Sequence, residues 1–206
     1  MEDALFDALF RAHLGGAYAA LGLPVPHELD EPVAAHKPLA ETALSAPWSF
    51  ITPQIGGNRF YDWQGAGRYR VPRGAAMADS PLVAAVLFGF DRKTLYLRLE
   101  PSDGRAAELA AARLDVDLRL GDRSVPLSST AAGGLVVDGT RAGSSAHGRT
   151  VELAAPFATL GAKAHDKLLV TLRLFSGDAP LARYPADGAI AVTVPGDAFE
   201  AENWSA

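Results

Sequence analysis

The chain has 206 residues, 49% of them hydrophobic and 21% charged, with a formal net charge of −5 and no cysteine. That length and balance suit one main domain with a real core, plus an appendage. The acidic balance argues against nucleic acid as a ligand, because its binders carry a basic face. The missing cysteines exclude disulfides and thiolate zinc sites.

The chain opens MEDALFDALFRAHLGG, acidic and broken by charge, which is not the pattern of a signal peptide. No segment approaches the roughly 18 uninterrupted apolar residues of a membrane span. The expectation is a cytoplasmic protein without a membrane partner. Residues 3–22 read as an amphipathic helix and residues 1–23 as its unit. Leu5, Phe6, Leu9, Phe10, Leu14, Tyr18 and Leu21 recur at three- and four-residue steps. Gly22, Pro24 and Pro26 stop it. So wide an aromatic face calls for burial, and His13 on it reads as partly buried. Residues 24–48, with five prolines, read as a linker with at most a short helical turn near 34–46.

From Phe50 the period changes to two, the mark of strands. Phe50–Ile55 reads as a short strand closed by Gly56-Gly57. Val83–Phe90 and Thr94–Glu100 read as a hairpin around Asp91-Arg92-Lys93. In its second strand Leu95, Leu97 and Leu99 face opposite to Tyr96, Arg98 and Glu100. Leu114–Leu120, Val125–Ser129, Gly134–Val137, Thr150–Ala154, Leu168–Phe175 and Ala189–Val194 continue the series. Many short strands between Gly/Ser/Asp turns predict a mainly β chain, an antiparallel β-sandwich over 49–197. Residues 198–206 are left as a tail. Asn203-Trp204-Ser205 matches a glycosylation acceptor, but without a secretory signal the match reads as chance.

Four patterns bear on chemistry. Gly65-Ala66-Gly67 in FYDWQGAGRY supplies two glycines of a dinucleotide fingerprint, but the third position is Arg70 and a proline follows, so no phosphate loop is expected. Gly143-Ser144-Ser145-Ala146-His147 lacks the closing glycine of a nucleophile elbow and reads as a flexible turn. The five histidines show no metal-binding spacing, so neither a metal nor another cofactor is expected. Asp115 and Asp117 share one strand face about 7 Å apart, with Arg98, Arg119 and Arg173 on equivalent polar faces. That reads as cross-strand ion pairing rather than as the paired carboxylates of a glycosidase.

The aromatics remain. Rings suit the apolar faces of pyranoses, and charged side chains read hydroxyls. Extended alternation through 60–63 puts Tyr61 and Trp63 together on the inner face, because Asp62 resists unpaired burial. Gly65 and Gly67 then read as a tight turn. The ligand-binding candidates are Tyr96 and Tyr69 as stacking rings, with Arg98 and Asp62 as hydrogen-bonding groups. No catalytic residue is assigned.

Leu9–Val33, then ITPQIGG, FYDWQGAGRY, GAAM (Gly74–Met77) and FGFDRKTLYLRLEP (Phe88–Pro101), resemble the C-terminal region of family 57 glycoside hydrolases over residues 5–101. Thr150–Phe175 is similar in style to DOMON-like and family 9 carbohydrate-binding modules. Two positions depart from the pattern: Gly56 stands where the family often has aspartate, and Ala78 where it often has histidine. The resemblance implies an accessory sandwich without the family's catalytic barrel, hence without hydrolysis. It implies an oligosaccharide or α-glucan as partner. The alternatives are a structural module whose N-terminal helix pairs with a family 57 catalytic subunit or a second copy, and a stand-alone carbohydrate-active hydrolase.

Overall fold

The computed structural model describes residues 2–30, 44–57, 59–72, 81–132 and 134–203. The expected turn near 34–46 lies mostly outside them, as do the G-A-A-M element and most of the glycosylation sequon. The chain divides into two compact units, Met1–Thr42 and Ala43–Ala206. In the first, helix α1 covers Glu2–Ala20 and a 3-10 turn covers His27–Asp30. Gly22 ends the helix at φ +66°, a conformation that suits residues without a Cβ. Arg11 Nη1 donates to the Leu29 carbonyl at 3.3 Å, tying helix to turn. Of the expected helix face, Leu9 and Leu21 are 61% and 74% exposed and Leu14 and Tyr18 are half-buried, while His13 is exposed rather than partly buried.

The second unit is mainly β, with two antiparallel sheets. The strands are β1 (Leu44–Ser45), β2 (Gly67–Arg70), β3 (Val83–Phe90), β4 (Thr94–Pro101), β5 (Arg113–Leu120), β6 (Arg123–Thr130) and β7 (Gly134–Val137). They continue as β8 (Thr140–Arg141), β9 (Ser144–His147), β10 (Val151–Pro156), β11 (Lys167–Ser176), β12 (Ala179–Tyr184) and β13 (Ile190–Thr193). Short helices α2 (Ala106–Ala111), α3 (Phe157–Leu160) and α4 (Phe199–Asn203) intervene. The first sheet runs β1-β2-β3-β4-β10-β9 and the second β12-β11-β5-β6-β7-β8, with β13 also paired to β11.

Alternation decides what lies between the sheets. Leu95, Leu97 and Leu99 of β4 face Leu114, Val116 and Leu118 of β5 and Leu168, Val170, Leu172 and Leu174 of β11 in one continuous core. Each such side chain, at most 1% exposed, contributes roughly 1.5–3 kcal/mol of burial. Tyr184 ties the sheets together, its hydroxyl accepting the Val83 N–H at 3.2 Å. The residues set aside as a tail begin with α4, whose Phe199 packs 4.9 Å from the Phe90 ring and 5.3 Å from Phe50.

Three local expectations are corrected. Phe50–Ile55 is not a strand. It crosses the outer face of the first sheet irregularly, anchored by Ile51 N–H to the Phe90 carbonyl at 3.0 Å. Phe60–Trp63 is a 3-10 turn rather than extended. Side chains there rotate by about 120° per residue, so Tyr61 and Trp63 part: Tyr61 is 78% exposed and Trp63 only 6%. Gly65 does turn the chain, at φ +98°, but Gly67 opens β2. A Cβ on Gly67 would lie 2.7 Å from the Phe88 ring, so the second glycine of GAG is there for close packing.

Ile51, Trp63, Tyr96 and Ala154 form a second, smaller core. Tyr96 and Ala154 face outward from the first sheet, so the 49–66 segment covers part of that face. Gly89 makes room for it, since a Cβ there would meet Ile51 Cδ1 at 2.6 Å.

Candidate functional site

The four expected ligand-binding residues do not share one surface. Tyr96 is 8% exposed beneath the 49–66 segment. Its hydroxyl donates to Asp91 Oδ2 at 2.8 Å, and burial followed by that bond pushes its pKa up to about 12. Tyr69 pairs with Val86 and packs into the main core, on the other side of the sheet from Tyr96. Burial, then the nearby Asp187 charge, raises its pKa. Asp62 accepts the Gln54 N–H at 3.4 Å and helps hold the covering segment. Arg98 lines one groove, and Tyr96 lines a separate one between Pro53, Ile55 and Pro156.

The Arg98 groove lies on the outer face of the first sheet. Arg68, Leu87, Arg98 and Glu152 stand on one rung of the register, and Arg70, Ala85 and Glu100 are in line along their strands. Arg98 lies between two carboxylates, 3.5 Å from Glu100 and 3.8 Å from Glu152. Its guanidinium sits 5.8 Å from the Trp63 ring centroid. Glu100 also pairs with Arg68 at 3.1 Å. Glu152 is 2% exposed. It is held by the Gly56 N–H at 2.9 Å and the Thr150 hydroxyl at 3.1 Å, so its charge is buried but satisfied. Arg59 and Arg149 stand at the rim of this cleft of about 620 Å³.

A further groove, of about 650 Å³, runs along the outer face of the second sheet. Here β5 presents Arg113, Asp115 and Asp117 between its buried leucines and valine. Arg113 lies 4.6 Å over the Phe175 ring and 3.3 Å from Asp115 Oδ1. That oxygen is buried without a well-aligned hydrogen bond. Asp117 Oδ1 accepts the Ser124 hydroxyl at 2.5 Å. Arg173 stands directly opposite Asp115 across the β5–β11 pair. The expected cross-strand ion pairing therefore takes another form. Asp115 pairs along its own strand, Arg98 belongs to the other sheet, and Arg173 has no hydrogen-bond or ion-pair partner among the described residues. The next arginine along, Arg183, is already committed to the Pro185, Ala186 and Gly188 carbonyls.

The 144–147 stretch is strand β9, not a flexible turn, paired to β10. His147 Nε2 lies 2.6 Å from Ser129 Oγ on the second sheet. The pair is not built for nucleophilic catalysis. Ser129 is 2% exposed, and His147 Nδ1 is buried without an aligned partner to orient the ring. Burial lowers the His147 pKa, and a backbone contact to Ala110 opposes this only in part. The unfolded histidine, with a pKa near 6.5, takes up its proton first as pH falls. This residue's contribution to stability is therefore complete above about pH 6.5 and declines below it. The urea midpoint should fall between pH 7.5 and pH 5.5 by more in the wild type than in His147→Gln. Equal falls in both would refute the assignment.

Among the described residues no group of three or more His, Asp or Glu side chains is placed to hold a metal ion, and no helix is long and apolar enough to cross a membrane. No protein-family model matches the chain, and no curated protein matches it.

Proposed function

We propose that this protein is a non-catalytic carbohydrate-binding module that takes a neutral oligosaccharide along the outer face of its second sheet. The observation that carries the reading is the Asp115–Arg173 pair. A carboxylate and a guanidinium stand opposite each other on neighbouring strands, in an open groove, with no ion pair joining them. Adjacent sugar hydroxyls each donate and accept, so an acceptor and a donor side by side suit a vicinal diol. Asp117, Ser124 and Ser128 extend the polar row, and Pro126 and Val136 offer apolar contact for ring C–H groups. Phe175 is capped by Arg113, so no ring in the groove is free for stacking. Affinity should then be modest, with a Kd on the order of 0.1–1 mM. An α-glucan is the class that the resemblance to the family 57 region implies, and an accessory role beside such an enzyme follows from it.

Calorimetric titration of the full chain with maltooligosaccharides and glycogen tests this. Heat at millimolar ligand is expected, and Arg173→Ala and Asp115→Ala should each weaken binding at least about tenfold, the loss of one charge-assisted hydrogen bond. Arg173 is exposed, so its replacement should change the thermal midpoint little; Asp115→Ala also removes the pair with Arg113, so binding is measured well below the midpoint of each variant. No heat from the wild type, or undiminished binding by both variants, would sink the reading. Activity on aryl glycosides that vanishes in Asp115→Asn would replace it with a hydrolase.

A further inference from the structure

The Arg98 groove on the first sheet has a different chemistry. Arg98 in the groove and Arg68 beside it are balanced by Glu100 and Glu152 through contacts of 3.1, 3.5 and 3.8 Å. Two positive charges against two negative charges leave that row neutral. Arg59 and Arg149 add two more guanidiniums at the rim, and neither has a partner among the described residues. The surplus of two positive charges stands out in a chain whose net charge is −5. Like charges that share a cleft repel, so such a grouping is costly unless an anion joins it.

Arg59 stands at the start of the Phe60–Trp63 3-10 turn. Arg149 lies in the β9–β10 turn, closed by Gly148 N–H to the Thr150 carbonyl at 3.0 Å. Arg59 follows the Gln54–Gly57 turn, which the buried Glu152 carboxylate anchors through the Gly56 N–H at 2.9 Å. The same carboxylate holds Thr150 at 3.1 Å. One buried group thus holds Thr150, next to Arg149, and the turn that ends two residues before Arg59.

We infer that Arg59 and Arg149, with Arg98 in the same cleft, form a binding site for a phosphate group, free or as a monoester. The surplus charge matches a group that carries about −1.5 to −2 at neutral pH, and arginine forks suit its oxygens in pairs. This site is on the opposite sheet from the oligosaccharide groove and stands or falls independently of it.

Calorimetric titration with inorganic phosphate, glucose 6-phosphate and glucose separates the possibilities. Saturable binding of both phosphates, without binding of glucose at this site, is expected. If the phosphoryl group is normally carried on a sugar, glucose 6-phosphate binds more tightly than inorganic phosphate. If free phosphate is the ligand, the order reverses. Arg59→Ala and Arg149→Ala should each weaken binding at least about tenfold. Glu100→Gln should tighten it by removing a competing carboxylate. Both arginines are exposed, and an unchanged thermal midpoint confirms that the variants fold. No phosphate binding at 10-millimolar order, or equal binding by wild type and the Arg59→Ala/Arg149→Ala double variant, overturns the inference.

Discussion

Trp63→Ala is expected to weaken the anchoring of the 49–66 segment by about 3–5 kcal/mol, the usual range for removing a buried tryptophan side chain. The residue is 6% exposed and packs with Ile51, Tyr96 and Ala154, outside the main inter-sheet core. The loss should therefore be local. Amide exchange at Ile51, whose N–H bonds the Phe90 carbonyl at 3.0 Å, should accelerate by about a hundredfold or more. Exchange in the middle of β4 and β5 should change far less. Trp63→Phe, which keeps most of the apolar volume, should show a fraction of the effect. If β5 amides accelerate as much as Ile51, the two cores are one cooperative unit and the distinction between them is wrong.

Glu152→Ala is expected to destabilise the sandwich by about 3 kcal/mol, near the low end for breaking a buried charge pair. The low end applies because Arg98 is 18% exposed and 3.8 Å away, so water still screens it. Three groups lose their acceptor or counter-charge at once: the Gly56 N–H, the Thr150 hydroxyl and Arg98. Glu152→Gln keeps a carbonyl oxygen and should recover part of the loss. Urea unfolding of the three proteins is the measurement. A Glu152→Ala protein within about 0.5 kcal/mol of wild type, the range of ordinary surface changes, would falsify a structural role for this carboxylate.

The long strands were readable because their apolar residues alternate without interruption, as in Leu114–Leu120 and Leu168–Phe175. Short strands such as β8 and β9 carry too few residues for a period to emerge, and Ser144–His147 has no apolar alternation at all. The 60–63 stretch misled for a different reason. Four residues fit extended and 3-10 geometry equally, and only the second separates Tyr61 from Trp63. Tyr96 was expected at the surface because it alternates with three leucines. Alternation shows that it leaves the inter-sheet core, but not that a distant segment covers it. Arg98 could be found from its place on a polar strand face. Its neighbour Glu152 could not, because the contact joins segments whose adjacency is set by the β4–β10 pairing. Asp115 was visible as a charged strand residue, but its isolation from Arg173 is a matter of rotamers, which no sequence pattern encodes.

The order of the strands has a consequence for behaviour at high concentration. An edge strand with free backbone groups is a template for a foreign chain, and long flat edges seed aggregates. Here the first sheet begins with the two-residue β1 and the second ends with the two-residue β8. The β12 edge contains Pro180, which has no N–H to offer, and Arg183. The four-residue β9 carries only serines, alanine and histidine. Among the described residues the outer strands β1, β8, β9 and β13 are four residues long or shorter, and β12 lacks one donor at Pro180. Short edges give a foreign strand few backbone groups to pair with, even though the interior is rich in leucine and valine.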